Sequence, residues 1–442
     1  MKIWNDTQKD SFANLYRGIS SNPQEAQEAS KKMILADEIP MLFTEEGHVV
    51  CIPTKRREEL KVGFFGTSRG GKSLTLNRFF NRMFWVGKRK SLWLNDVQNE
   101  TFTMGRPMQN YAFKNKLDLI GEKPLHTPFI HLFPHTKDRI SVRAKGYICA
   151  EFCFDFHKVL DRPDFFLELG GSQKYFNSLL DDFKKCRSPN EVEDVVKKIG
   201  DKRVREKIWS TIHFLFEEEL FSFNNYGTKV YCKGTIHDKN TGERKDYSII
   251  PACMLMMGCV SLHTKAITQK PYTKTYPELI LREILDLHRN DPYFNRTPTH
   301  IAIDEIWYMS SRDLVNETIQ EMAKLGTLPI GISYASQSYL TVDPFLRKNT
   351  RLSFVFGFKS KEEAKSIAEN YGASNSIVTD MLRINRDKNE CILLADEKLV
   401  VYDLVNNEKY YVTNEAIKGT SIPPPSNNQT PSSMTRTKPL IT

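Results

Sequence analysis

GTSRGGKS, residues 66–73, stands between the apolar run KVGFF (61–65) and SLTLNRFFNRMF (73–84), whose apolar residues recur at helical spacing. The first run reads as a strand and the second as a helix. Gly66, Gly70 and Gly71 let the chain turn tightly between them, so that successive backbone N–H groups point at one place. That place suits a phosphate, because the N-terminus of the following helix also favours negative charge. The stretch meets the pattern G-x-x-x-x-G-K-[ST] with a strand before and a helix after, the setting that gives the pattern its meaning. Gly66, Thr67, Ser68, Arg69, Gly70, Gly71, Lys72, Ser73 and Leu74 are therefore the expected phosphate-binding loop. In it Lys72 reaches the β- and γ-phosphates, and Ser73 offers its hydroxyl to Mg²⁺.

Hydrolysis at such a loop also needs a carboxylate for the metal and a base for water. HIAIDEI (300–306) supplies both at the end of an apolar strand. Asp304 is placed to hold Mg²⁺ through water and Glu305 to polarise the attacking water. Gln337 closes the next apolar strand, IGISYASQ (330–337), and an amide there can sense the γ-phosphate. ATP is the expected nucleotide and Mg²⁺ its metal.

Outward from these motifs, short apolar runs alternate with helical periods, the pattern of an α/β domain with a mostly parallel sheet. SLWLND (91–96), FIHLF (129–133) and RLSFVFGF (351–358) are further strands. PELILREILDLHRN (277–290) and RDLVNETIQEMAKLG (312–326) are helices, and another is capped by Ser360 and Glu363 and ended at Gly372. ECILLAD and KLVVYDL complete the folded part. Residues 158–222 switch to helix; Ser188, Pro189, Glu191 and Gly200 punctuate one of its members. TKVYCKGTI and DYSII, within 228–250, read as a hairpin with a polar tip.

The expected organisation is an N-terminal segment (1–60), a RecA-like core in two parts (61–157 and 223–417), a helical insert between them (158–222) and a tail (418–442). The N-terminal segment is mostly polar, with a helix over PQEAQEASKKMILA and a strand at HVVCIP (48–53). The tail is rich in Pro, Ser, Thr and Asn, a composition that does not build a core.

The chain has 442 residues, a formal charge of +9, 40% hydrophobic and 26% charged residues. That is ordinary for a globular protein, and the positive excess leans toward polyanionic partners, nucleic acid first. Its eight cysteines form no C-x-x-C pair and mostly sit among apolar residues, as buried thiols in a reducing compartment do. MKIWNDTQKD holds no apolar signal region, and the run from Pro251 to Leu262 is too short to span a bilayer. A cytoplasmic protein without membrane insertion is expected. His126, His131 and His135 are spaced H-x₄-H-x₃-H, but no fourth zinc ligand accompanies them and a structural role is expected. Arg78, Arg82, Lys88, Arg89 and Lys90 interleave with Phe79, Phe80, Phe84 and Trp85 like a nucleic-acid patch. A helix after a phosphate loop packs on the sheet, so core aromatics and solvated charges are the stronger expectation.

Taken together, GTSRGGKS, IAIDEI and ISYASQS resemble the Walker A, Walker B and sensor strand of the HerA/FtsK superfamily, HerA-like members most closely. The resemblance covers residues 61 to about 405. LNDVQNE has the family's Asp-x-x-x-Glu spacing at Asp96 and Glu100, and NTRLSFVF looks like the strand whose arginine acts on a neighbouring subunit's ATP, here Arg351. Arg347 is the rival for that role. The resemblance implies a RecA-like P-loop NTPase assembled as a hexameric ring that pumps double-stranded DNA, working with a nuclease or other DNA-processing partner. Conjugative coupling and viral packaging ATPases are the alternatives within that class; a nucleotide-dependent DNA-binding scaffold that does not translocate is the alternative outside it. Lys239, Arg244 and Lys245, at the tip of the 228–250 hairpin, are the candidate DNA contacts, since inserted loops can project into a ring's pore. Two features depart from the family. The first 60 residues leave little room for its N-terminal β-barrel, and AKLGTLPIG lacks a basic pair often seen before the sensor strand.

Overall fold

A computed structural model describes residues 38–44, 48–53, 60–67, 70–85, 87, 89–94, 101, 104, 127, 129–134, 148–160, 173–217, 221–223, 231–237, 244–249, 259–263, 270–292, 294–306, 318–322, 328–384, 390–403, 408–413 and 415–421. Its elements begin with β1 (Glu38–Phe43), β2 (His48–Pro53), β3 (Lys61–Phe65), α1 (Lys72–Trp85), β4 (Lys90–Leu94), β5 (Phe129–Pro134) and β6 (Ile148–Asp155). Next come α2 (Phe156–Leu160), α3 (Gln173–Phe183), α4 (Pro189–Lys197), α5 (Lys202–Glu217), β7 (Phe221–Ser222), β8 (Tyr231–His237), β9 (Arg244–Ile249) and β10 (Cys259–Leu262). Then follow α6 (Lys270–Asn290), β11 (Thr299–Ile303), β12 (Ile330–Ser336), α7 (Pro344–Lys348), β13 (Leu352–Val355), α8 (Lys361–Asn370) and α9 (Asn375–Arg383). The last strands are β14 (Glu390–Ala395), β15 (Leu399–Asp403), β16 (Glu408–Val412) and β17 (Glu415–Thr420).

The sheet has a parallel centre in the order β6-β5-β10-β4-β11-β12-β3-β13. Beyond β13 it continues antiparallel through β14, β17, β1, β2, β15 and β16. On the other side β6 is followed by the antiparallel pair β8 and β9. The expected mostly parallel sheet is thus a mixed one. Short connections such as Thr44–Gly47 between β1 and β2 can only return the chain antiparallel, since a parallel return needs a crossover of a dozen residues or more.

The parallel strands read as unbroken apolar runs because both their faces are covered. Phe65, Leu92, Leu94, Ile301 and Ile303 join one core with residues of α3 to α6, while Phe64, Trp93 and Ala302 join the other beneath α1. The alternation is the strand period of two made visible. Helix α1 buries Leu76, Phe79, Phe80 and Met83 on that second face. Phe80 packs edge-on to Trp93 and stacks with Phe129, and Phe64 stacks on Phe354 at 5.1 Å. The punctuation of α4 matches its sequence: Ser188 Oγ accepts the Glu191 N–H, and Glu191 accepts the Arg187 N–H in return.

Several boundaries differ from expectation. The tail does not begin at Lys418: Lys418, Gly419 and Thr420 belong to β17, whose backbone pairs with β14, and pairing rather than side-chain composition decides there. The strand of HIAIDEI stops at Ile303, and Asp304–Ile306 turn. Helix α6 starts at Lys270, with Pro277 inside it. β1, β6, β10, β16, β17 and α9 were not anticipated as elements. The helix expected over residues 23–36 and the tail beyond 421 lie outside the described residues, and of RDLVNETIQEMAKLG only 318–322 are described, as helix. Among the described residues no helix is long and apolar enough to cross a membrane.

Candidate functional site

The phosphate loop leaves the sheet at its centre, because β3 lies between β12 and β13. Both neighbours fasten it: the Gly66 N–H donates to Ser336 O (3.3 Å) and the Thr67 N–H to Gly357 O (3.1 Å). Gly66 adopts φ +133° and Gly71 φ +97°, conformations that side chains with a Cβ rarely enter. A Cβ on Gly66 would also meet Gly357 O at 2.8 Å, and one on Gly70 would meet Phe356 Cβ at 2.9 Å. The glycines are therefore required by backbone angle at one place and by close approach at another.

Beyond the loop, α1 carries Lys72 and Ser73 in its first turn. Lys72 is buried, and its Nζ donates to Thr67 O at 3.3 Å. Ser73 Oγ donates to Asp304 Oδ2 at 3.3 Å, across 231 positions of sequence. β11 delivers Asp304 because it runs parallel to β12, one strand away from β3. Burial pushes the Asp304 carboxyl up to about 6, and the neighbouring Glu305 charge adds to the rise; the Glu305 N–H, Lys72 and Ser73 oppose it. Asp304 Oδ1 accepts the Glu305 N–H at 3.0 Å. Glu305 itself takes φ +51°, and among the described non-glycine residues it alone has a positive φ. Such a backbone costs on the order of 1 kcal/mol and persists where surroundings impose it. Here the Ile306 N–H bonds to Ala335 O (2.9 Å), and Gln337 Nε2 donates to Glu305 Oε1 at 2.9 Å.

The structure thus brings Gly66, Thr67, Gly70, Gly71, Lys72, Ser73, Asp304, Glu305 and Gln337 to one rim, with Leu74 on the first turn of α1. Ser68, Arg69, Asp96, Glu100 and Lys239 lie outside the described residues. Arg244 and Lys245 fall in β9, paired with His237 and Ile236, and so in the strand rather than at the tip. His126 and His135 are also outside the description; His131 is buried, with Nδ1 2.8 Å from His263 Nε2, and no metal-binding cluster occurs among the described residues. The basic-aromatic stretch resolves as core: Phe79 and Phe80 are fully buried, Arg78 donates to Ser421 O at 2.8 Å, and Arg82 and Arg89, expected as solvated charges, are buried with them.

Arg351 stands at the other end of β3. Its N–H donates to Lys61 O (3.1 Å), so five residues of strand, roughly 16 Å, separate it from Gly66. Its side chain pairs with Asp396 of its own chain at 3.1 Å. Arg347 instead lays its guanidinium over the Tyr339 ring, 5.0 Å from the centroid.

Sequence reasoning missed two residues beside the site. Ser338 Oγ donates to Glu363, and Ser336 Oγ donates to Ser338 O at 2.7 Å, so the Gln337 segment is tied to the first turn of α8. Glu363 was legible only as part of the Ser360 cap, and nothing local signals its second partner.

A strand, a glycine loop closing on a lysine, and a helix, set in the middle of a parallel sheet, define a P-loop α/β protein. Solved structures share this fold. VirB4 of Thermoanaerobacter pseudethanolicus superposes with a TM-score of 0.51 over 86% of this chain and 97% of that one, at 10% identity. The plasmid coupling protein TrwB, in complex with the ATP analogue ADPNP, gives 0.43 over 91% and 95% at 12% identity. The genome packaging NTPase B204 of Sulfolobus turreted icosahedral virus 2, in complex with ATP-γS, gives 0.29 over 80% and 97% at 8% identity. At these identities the likeness is one of fold, and only the VirB4 superposition is close enough to carry that argument. No protein-family model and no curated protein sequence matches the chain.

Proposed function

We propose that the chain is an ATP-driven DNA translocase, a hexameric ring motor that couples hydrolysis to movement along double-stranded DNA. The observation that carries this reading is the convergence of Lys72, Ser73, Asp304, Glu305 and Gln337 from neighbouring strand ends in a fold shared with VirB4. The residues suit a nucleotide with magnesium. Gly66 and Gly70 let the loop close against Phe356 and Gly357 where a Cβ would collide, and Thr67 Oγ1 is buried without a hydrogen-bond partner among the described residues. Ser73 and Asp304 are the groups that would hold Mg²⁺, which supplies charge neutralisation on the phosphates when bound.

Lys72 binds and orients the β- and γ-phosphates. Glu305 polarises water, and Gln337, hydrogen-bonded to it, fixes the direction of its carboxylate and senses the γ-phosphate. Arg351, too far from its own loop, serves the ATP of the adjacent subunit. In this reading residues 158–222 are a helical insert in the ATPase core, and Lys239, Arg244 and Lys245 meet DNA. Work is done in the cytoplasm, alongside a nuclease or other DNA-processing partner.

Triplex displacement tests the motor. Purified protein with ATP and Mg²⁺ is expected to strip a third strand from duplex DNA, and the Glu305→Gln variant to bind ATP without stripping it. Hydrolysis without displacement would leave a nucleotide-dependent scaffold as the correct reading. Hydrolysis at the wild-type rate by Glu305→Gln would assign the base elsewhere.

A further inference from the structure

Arg351 is held by its backbone from two sides. Its N–H donates to Lys61 O at 3.1 Å, and its carbonyl accepts the Asp396 N–H at 3.0 Å. A separate contact holds the side chain: Nη1 lies 3.1 Å from Oδ1 and 3.1 Å from Oδ2 of Asp396. One nitrogen therefore takes the whole carboxylate. A guanidinium carries its donors in a rigid planar fork, so gripping one nitrogen restricts the plane while Nη2 and Nε keep donors for a second oxyanion.

The pair is poorly suited to a purely structural role. Its side chains are 53% and 43% exposed, and exposed ion pairs add little to stability. The strand pairing does not need it either, since β13 and β14 are joined by their own ladder from Leu352–Ala395 to Val355–Ile392. Asp396 stands just past that ladder, at the turn into β15.

We infer that Asp396 is a positioning residue: it holds the Arg351 guanidinium at the sheet end remote from its own phosphate loop, ready for the phosphoryl oxygens of ATP bound to a second copy of this chain. The inference rests on the trans-acting role proposed above for Arg351. The geometry also separates the two arginines, because Arg347 is committed to the Tyr339 ring within its own subunit.

Full-length Asp396→Ala and Asp396→Asn are compared with wild type in DNA-stimulated ATP hydrolysis, in melting temperature, and after mixing with Lys72→Ala subunits. In Asp396→Ala kcat is expected to fall about fivefold, the bias that an exposed ion pair can give a conformer. KM for ATP and the melting temperature stay unchanged, because the nucleotide sits on the other subunit. Asp396→Asn keeps the size and one acceptor, so it loses less and decides the matter where Asp396→Ala melts early. Mixing with Lys72→Ala should restore the rate per intact phosphate loop in part, since some interfaces then pair an intact phosphate loop with an intact Arg351–Asp396 pair. Wild-type kcat in both variants, or a loss that mixing does not repair, overturns the positioning role. Arg351→Ala mixed with Lys72→Ala is run in parallel: recovery there alongside an inert Asp396 substitution leaves the trans-acting arginine standing, whereas full activity of Arg351→Ala alone removes that reading itself.

Discussion

Asp304→Asn is expected to make the metal-free protein more stable at neutral pH while ending its hydrolysis. The Asp304 carboxyl is 8% exposed, and burial, with the Glu305 charge second, lifts it to about 6 from an ordinary 3.8. A carboxyl raised on folding contributes stability that is complete below the unfolded value and is lost as pH rises through the native one. That rise amounts to about 3 kcal/mol lost between pH 4 and pH 7. Asparagine carries no charge but has one acceptor for the two donors that Asp304 satisfies, Ser73 Oγ and the Glu305 N–H, which costs about 1 kcal/mol. The net gain at pH 7.5 is therefore about 2 kcal/mol, and near pH 4 it vanishes or reverses sign. Urea denaturation of both proteins in EDTA, at pH 4.5 and 7.5, reads the difference directly, and acid effects common to both cancel. An Asp304→Asn variant less stable than wild type at pH 7.5 would show that the carboxylate is not strained there. The reasoning from burial would then fail.

Gly66→Ala should destabilise the fold by about 2–4 kcal/mol and abolish nucleotide binding, since its φ of +133° and a 2.8 Å approach to Gly357 O both exclude a Cβ; calorimetry and nucleotide titration check it. Burial holds His288 near 4, with Nε2 3.0 Å from Thr299 Oγ1. A histidine lowered on folding gives stability that is present above pH 6.5 and lost as pH falls through 4, so acid unfolding should begin in that window and be milder in His288→Gln. DNA binding is expected to weaken steeply with salt and to vary little with sequence. Neutralising Lys239, Arg244 and Lys245 together should lower both the affinity and the salt slope in a filter-binding series; an unchanged slope places the DNA elsewhere.

The phosphate loop and the central strands could be read from sequence because their requirements are local or two-faced. Glycines at fixed offsets before Lys72 answer to backbone angle, and runs such as IAI in β11 are apolar without alternation because helices cover both sides. The antiparallel flank was not legible for the opposite reason. β16, EKYYV, is exposed along most of its length, and β17 ends on Lys418, Gly419 and Thr420, so neither shows the alternation of a half-buried strand. β1 was hidden by Pro40 and by the polar residues around it. At the site, the acids of HIAIDEI were found, but the left-handed turn at Glu305 that aims its carboxylate at Gln337 depends on Ala335 and β12. The same holds for Ser338 with Glu363 and for Arg351 with Asp396, which are 25 and 45 positions apart and meet only through the sheet.

Strand β3 sets the geometry of any hydrolytic assembly. Its last residue, Phe65, leads into the phosphate loop, and its first, Lys61, receives the Arg351 N–H. An arginine side chain reaches about 7 Å, less than half of the roughly 16 Å of strand between them. Arg351 therefore cannot neutralise a phosphoryl group in its own subunit, and any catalytic effect it has must cross to another copy. Such a contact joins different surfaces of two identical chains, one presenting the loop and the other the arginine, so the interface is heterologous and closes into a ring or grows as a filament. Arg351→Ala should then leave nucleotide affinity at the wild-type value in dilute subunits and lower kcat only where subunits associate. An undiminished wild-type rate per subunit at dilutions where the subunits are shown to be dissociated would contradict an active site shared between chains.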